Sequence, residues 1–289
     1  MGSSSKTTAL LEPLADAIGR HVLSVEAIFA DDTPISMLAP GTGKTQTARL
    51  WTYARDERPW GGAATPAAWY RFSGDRKVQH PKDHLARFRG WMHADGYAGF
   101  EDLYRSGAIR EVACMAHVRG YPLVTGLSDC RRGHSPDRAA LRCRKGSQRV
   151  ATRPTYRAAK GPCRPFFDDL EVWLVLQLTT ISGKSPLAGA IRYALTRMER
   201  LRPYLDHGIL ELDNNTAERG MRTVALGRKN YLFVGSEAGG KAAVIAYTLI
   251  QTAKLNAVDP QAWLADTLAH IPDYKITKVD DLLPWRWNG

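Results

Sequence analysis

Cysteine is scarce in this chain and poorly spaced for a covalent or metal framework. The four residues in 289, Cys114, Cys130, Cys143 and Cys163, form no Cys-x-x-Cys pair. That pattern excludes a zinc ribbon and, at this length, a disulfide scaffold standing in for a core. A reduced, cytoplasmic setting is the expectation. Long apolar runs are missing too. No uncharged stretch reaches membrane-spanning length, and the start, Met1-Gly2-Ser3-Ser4-Ser5-Lys6, holds no apolar signal core. Acidic charge is short: 29 Asp and Glu against 40 Lys and Arg leave a formal net charge of +11. A balance this basic favours a polyanionic partner, nucleic acid before membrane. Core-forming residues are not short. At 44% hydrophobic, the chain can bury one large domain or two small ones.

The apolar pattern predicts mixed secondary structure. Leu10, Leu11, Leu14, Ile18 and Leu23 make a helical stripe over residues 8–23. The run Val25 to Ala30 predicts a strand ending at Asp31. Pro40-Gly41-Thr42-Gly43 predicts a turn, and Arg49 to Arg55 the returning strand of a hairpin. A third strand is expected at Ala67 to Phe72, a helix at His80 to Arg89, and a fourth strand from Trp91 to Asp95. A helical turn at Phe100 to Tyr104 and a fifth strand at Glu111 to Val118 follow. Beyond Phe166 the pattern is helical: one helix carries Phe166, Leu170, Trp173, Leu174 and Leu178. A second is capped by Ser185-Pro186 and runs to Leu201. A third starts near Asn215, a fourth covers Lys241 to Leu255, and a last one opens at Asp259-Pro260 and runs to His270. This order predicts an α/β, ribonuclease-H-like fold. Its mixed sheet is flanked by helices, with a mostly helical or irregular insertion after the fifth strand.

Asp31 and Asp95 stand at two predicted strand ends, and Glu218 in the first turn of a late helix. Two strand-end aspartates and a helical glutamate can hold two divalent cations for phosphoryl transfer. Alone, each has a plainer reading. A strand-end Asp caps turns, and Asn215-x-x-Glu218 resembles a capping box. The gap from Asp95 to Glu218 is nearly double that from Asp31 to Asp95, so an insertion is expected between them.

LDNNTAERGMRTVALGRKNYLFVGSEAGGKAA (212–243) resembles the C-terminal signature of the insertion sequence 66 transposase family. So do ADDTPISMLAPGTGKTQTARLW (30–51), HADGYAGFEDLY (93–104), QTAKLNAVDPQAW (251–263) and LLPWRW (282–287). The resemblance implies a DNA transposase catalytic domain that cleaves and joins element ends. It carries an Asp-Asp-Glu triad on Asp31, Asp95 and Glu218, with two Mg2+ or Mn2+ ions. Asp32 is the alternative to Asp31. The partners implied are DNA, further copies of the chain and other element-encoded proteins, in a nucleoid-associated cytoplasmic setting. An N-terminally truncated remnant that keeps only DNA or subunit binding is the competing expectation. The units expected are a helical lead (1–24), the first part of the catalytic domain (25–118), an insertion (119–205), the last part of the domain (206–257) and a C-terminal helix and tail (258–289).

Residues 119–165 depart from that resemblance. From Arg119 to Arg164 twelve basic residues face only Asp129 and Asp137, and three of the four cysteines fall there. The expectation is a stretch read out of frame, with a basic DNA-binding insertion as the alternative. The chain's overall basicity is therefore no independent sign of DNA binding. Arg219, Arg222, Arg228 and Lys229, clustered after Glu218, are candidate phosphate contacts or a solvated helix face. Cys114-x-x-His117 is read as strand-end core or as support for the site. Gly41-Thr42-Gly43-Lys44-Thr45 imitates a P-loop, but Leu38 replaces the required glycine and a strand follows. Lys44 would sit at a hairpin tip, within reach of a DNA phosphate. Tyr231 and Phe233 are expected in the core, and Trp285 and Trp287 as anchors of the tail.

Overall fold

The computed structural model describes residues 3–119, 163–228 and 233–289. Most of the segment expected to be out of frame, together with Lys229 and Tyr231, lies outside them. Helix α1 (Ser3–Leu23) leads into β1 (Ala27–Ala39), β2 (Lys44–Arg55) and β3 (Ala67–Ser73). Then come α2 (Gln79–His84), β4 (Gly90–Ala94), α3 (Glu101–Tyr104), β5 (Ile109–Ala113) and α4 (Met115–Arg119). After the undescribed stretch follow α5 (Arg164–Thr180), α6 (Pro186–Leu201), α7 (Pro203–Asp206), α8 (Asn215–Gly227), α9 (Glu237–Leu255) and α10 (Pro260–His270). The strands form one mixed sheet in the order β3-β2-β1-β4-β5. β1 and β3 pair antiparallel with β2, and β1, β4 and β5 run parallel.

Alternation along β1 sorts its side chains between two cores. Ile28 and Ala30 join Leu14, Ile18 and Val22 of α1, with Trp263 of α10. Ala27, Phe29, Ile35 and Met37 join Ala217, Met221 and Val224 of α8. A third cluster packs α5 and α6 against α4 through Phe167, Leu174, Ile191, Met198 and Val118. The edge of β3 is covered rather than left open. Thr252 Oγ1 accepts from the Ala68 amide at 3.2 Å, and Thr248 Oγ1 from the Tyr70 amide at 3.0 Å. One turn of α9 separates the two threonines, and two residues of strand span nearly the same length, so the helix satisfies the edge amides in register.

Several expected boundaries are corrected. The inward stripe of α1 is Leu14, Ile18 and Val22, while Leu10 is exposed. β1 does not stop at Asp31 but continues to Ala39 as one arm of the hairpin. β5 ends at Ala113, and Met115–Arg119 is a helix rather than its extension. α2 stops at His84, short of Arg89. α9 begins at Glu237, with Ser236 Oγ accepting from the Gly239 amide at 3.1 Å. Its glycines read as loop, yet a Cβ on Gly240 would come within 2.5 Å of the Phe72 ring. Gly240 is there for close helix–strand approach. Phe233 is exposed rather than in the core. Cys114 is buried as a free thiol. Gly41-Thr42-Gly43 forms the exposed hairpin tip, with φ 76° at Gly41 and 63° at Gly43, and Lys44 opens β2. Trp285 packs on His21 at 4.6 Å and Trp287 Nε1 donates to Asp266 at 3.0 Å, so both anchor the tail.

Candidate active site

The parallel pairing of β1 with β4 fixes the level of two acids. Phe29 pairs with His93; Asp31 stands two residues further along β1, and Asp95 two residues further on, in the loop just past the end of β4. Phe29 and His93 stack at 4.4 Å, so residues 29 and 31 share one sheet face with residue 93, and Asp95 follows just beyond β4, near enough for its charge to act on Asp31. That is the face covered by α8, whose first turn carries Glu218.

A short set of buried bonds holds the start of α8 to the sheet. The Asn214 side-chain amide donates to Ala30 O at 2.8 Å, and the Asn214 backbone N–H to Cys114 Sγ at 3.2 Å. Met115 N–H donates to Leu212 O at 2.9 Å. His93 Nε2 accepts from the Glu211 amide at 2.9 Å, which places the ring proton on Nδ1, facing Ile28 O at 3.1 Å. β1, β4 and the end of β5 therefore all grip residues 211–214. The capping-box alternative for Glu218 is not formed. Asn215 is already helical, Asn214 makes no side-chain cap bond, and Asp213 accepts from the Asn215 amide at 3.1 Å. Glu218 instead turns to Cys114 Sγ at 3.9 Å and His117 Nδ1 at 3.6 Å.

Burial pushes the Asp31 carboxyl up to about 7. The charge of Asp95, and to a smaller degree those of Asp32 and Glu218, adds to the shift, and the Asp32 amide bonded to Asp31 at 2.8 Å opposes it. The acids from β1, the loop after β4, and α8 are thus near enough to feel one another. Burial likewise pushes the Cys114 thiol up to about 11, against the backbone N–H groups of Asn214 and His117 that bond its sulfur.

Asp32 points the other way. Its side chain is fully buried, forked by Arg76 at 2.7 and 2.9 Å and bonded by Arg49 at 3.0 Å. Arg76 lies 3.7 Å over the Tyr97 ring. Asp32 is therefore committed to an ion-pair cluster on the opposite face from Asp31. Cys114 follows β5 directly and His117 lies on α4, so the pair brackets Glu218. Arg219 and Arg222 are exposed on α8, while Arg228 bonds Pro34 O. Asn214 and His93 were not singled out from the sequence. The signals present were the polar run Asp213-Asn214-Asn215 before an apolar helix and a histidine two residues before Asp95.

An all-oxygen set of three acids suits hard divalent cations.

Two family models match the chain: Transposase IS66 family over residues 2–242 and IS66 C-terminal element over residues 248–285. Among similar proteins of Sinorhizobium fredii (strain NBRC 101917 / NGR234), Uncharacterized protein y4hP is 37% identical over 97% of this chain and 54% of its own length. Uncharacterized protein y4qI is 38% identical over 96% and 54%. Uncharacterized protein y4jD is 34% identical over 96% and 57%. The chain thus spans about half the length of these relatives. With family models matching nearly its full extent, the chain belongs to the IS66 transposase family.

Proposed function

We propose that this chain is the ribonuclease-H-like catalytic part of a DNA transposase, with Asp31, Asp95 and Glu218 as its metal-holding acids. The observation that carries this reading is that Asp31 on β1 and Asp95 just past the end of parallel β4 follow the paired Phe29 and His93, with the charges of Asp95 and Glu218 both acting on the Asp31 carboxyl. The strand order supports the fold assignment, since an antiparallel β1-β2-β3 unit is continued by parallel β4 and β5. Divalent cations of the magnesium class, when bound, supply an activated water and neutralise charge at the phosphorus. The chain's own groups set the stage. Asp31 stands within β1 and Asp95 just past the end of β4, and bonds from Asn214 and His93 fix the start of the helix that presents Glu218. Exposed Arg219 and Arg222 on the same helix offer charge to a DNA backbone. The DNA strand is substrate in both steps, cleavage by water and attack by the freed 3′-hydroxyl.

The test is strand cleavage of supercoiled DNA carrying element ends, with Mg2+ or Mn2+. Asp95→Ala should lower cleavage at least about 10²-fold while leaving the folded state intact by circular dichroism. Cleavage by folded Asp95→Ala at the parent rate would refute the reading.

A further inference from the structure

We infer that Cys114, His117 and Glu218 form a second cation site, selective for a thiophilic divalent ion of the zinc class. Occupancy of this site would draw Glu218 away from Asp31 and Asp95. The binding inference stands on the cluster itself, and only its regulatory consequence rests on the function proposed above.

The sulfur, imidazole nitrogen and carboxylate oxygen all lie within 4.8 Å of one another. Glu218 Oε1 is 3.6 Å from His117 Nδ1 and 3.9 Å from Cys114 Sγ. Ligand bonds of zinc length in a tetrahedron put such atoms about 3.3–3.6 Å apart, so the two pairs that involve Glu218 need at most a few tenths of an ångström to close on an ion, and the sulfur–nitrogen pair, within 4.8 Å, needs a turn of the exposed His117 ring. The donor set, one sulfur, one nitrogen and one oxygen, is wrong for Mg2+ and right for zinc. The sulfur is already prepared, because two backbone N–H groups, from Asn214 and His117, point at it. Such donors stabilise a bound thiolate and fix its direction. Access is from the solvent side. Cys114 is buried, but the His117 and Glu218 side chains are 43% and 37% exposed. Three protein ligands leave a fourth position for water. On binding, the S–H bond breaks heterolytically, sulfur keeps the electron pair and donates it to the metal, and the proton passes to solvent. Nothing is oxidised or reduced.

Glu218 would then be shared between two chemistries. A hard ion needs it beside Asp31 and Asp95, while a thiophilic ion holds it against β5 and α4. Micromolar zinc should therefore inhibit magnesium-supported cleavage.

The probe is Co2+ titrated into the full chain in excess Mg2+. One equivalent should give a near-ultraviolet thiolate charge-transfer band with the visible bands of a tetrahedral ion. Cys114→Ser should abolish the charge-transfer band, which separates this site from the other cysteines. His117→Ala, at an exposed position that does not threaten the fold, should weaken Co2+ binding at least about 10-fold. Asp31→Asn should leave the band unchanged. A folded parent chain without the band overturns the proposal, as does a band that survives in Cys114→Ser or disappears in Asp31→Asn. If the bands behave as expected but Mg2+ supports no cleavage, the thiophilic site stands and the catalytic reading falls. If both hold, zinc should inhibit the parent and spare His117→Ala.

Discussion

On one face of β1, Asp31 is crowded by Asp95 and Glu218, and burial and like charge push its carboxyl up to about 7. On the other face, one residue later, Asp32 is fully buried and gripped by Arg49 and Arg76. Two adjacent aspartates thus receive opposite treatment from the strand's period of two. The Asp32 face has its countercharge built in and contributes to structure. The Asp31 face gathers negative charge, which costs stability unless a cation arrives. The difference separates a structural acid from the one proposed to hold metal, although sequence position alone makes them near equivalents.

The largest expected effect breaks the comparison at its centre. Asp31→Asn should lower metal-supported DNA cleavage at least about 10²–10³-fold, with the fold intact. Asp32→Asn should do the reverse. Removing the carboxylate leaves two guanidinium groups facing each other, for about 2–4 kcal/mol of lost stability, less than for a fully buried pair because Arg76 keeps some solvent contact. Denaturant unfolding and cleavage rates on the two variants check both halves. Equal losses of activity at equal stability would erase the distinction.

The pH dependence of stability sharpens the same contrast. Below about pH 4 the Asp31 proton is bound in folded and unfolded chains alike. As pH rises from about 4 to about 7 the unfolded chain releases it first, so the folded state holds more protons and stability falls. Above about 7 the loss is complete. Relative to Asp31→Asn, the parent should lose about 2–3 kcal/mol across that window, a figure discounted for the water that still reaches this half-buried carboxylate. Added Mg2+ at pH 8 should return part of it to the parent and none to the variant. Flat stability differences from pH 4 to 8 would mean that Asp31 is not crowded.

A control far from the acids comes next. Thr252 Oγ1 serves both the Ala68 amide and the Ala68 carbonyl at the sheet edge. Thr252→Val should cost about 1–3 kcal/mol by leaving these groups unpaired. At temperatures where it stays folded, it should cleave DNA at the parent rate, showing that lost stability alone does not mimic Asp31→Asn.

The sequence made much of this legible, for physical reasons that vary by element. The hairpin, the third strand and the helices after Ser185 and Asp259 were readable because turn glycines, caps and apolar periods are local signals, and Ser185 and Asp259 do cap α6 and α10. The end of β5 was not. Val112 to Val118 is a short apolar run, and periodicity cannot tell a strand that stops from one that continues. What stops it is tertiary, since the Met115 amide is taken by Leu212 O. The same holds for β1 beyond Asp31, where two charged residues look like a strand end until Arg49 and Arg76 neutralise one of them. The acids of the candidate site were picked out by their expected strand-end and helix-start positions, with the family resemblance falling on the same three residues. Asn214 and His93, which hold that site together, were missed because their importance lies in which backbone groups they meet, and those come from strands far away in sequence.

The smallest effect concerns what lies beyond the acids on the Asp31 face. Arg219 and Arg222 are exposed on α8 and make no contact that the fold needs, so Arg219→Ala and Arg222→Ala should each change stability by less than about 0.5 kcal/mol. If that face receives DNA, each should weaken binding uniformly across sequences. Each should also lower the slope of log affinity against log salt by about one, because one fewer phosphate counterion is released. Fluorescence anisotropy with a labelled duplex over a salt series measures both quantities. Arginine substitution on the Asp32 face should behave differently: Arg49→Ala should lose stability first, with any loss of affinity following from unfolding. An unchanged salt slope in the α8 variants would mean that these arginines form only a solvated helix face.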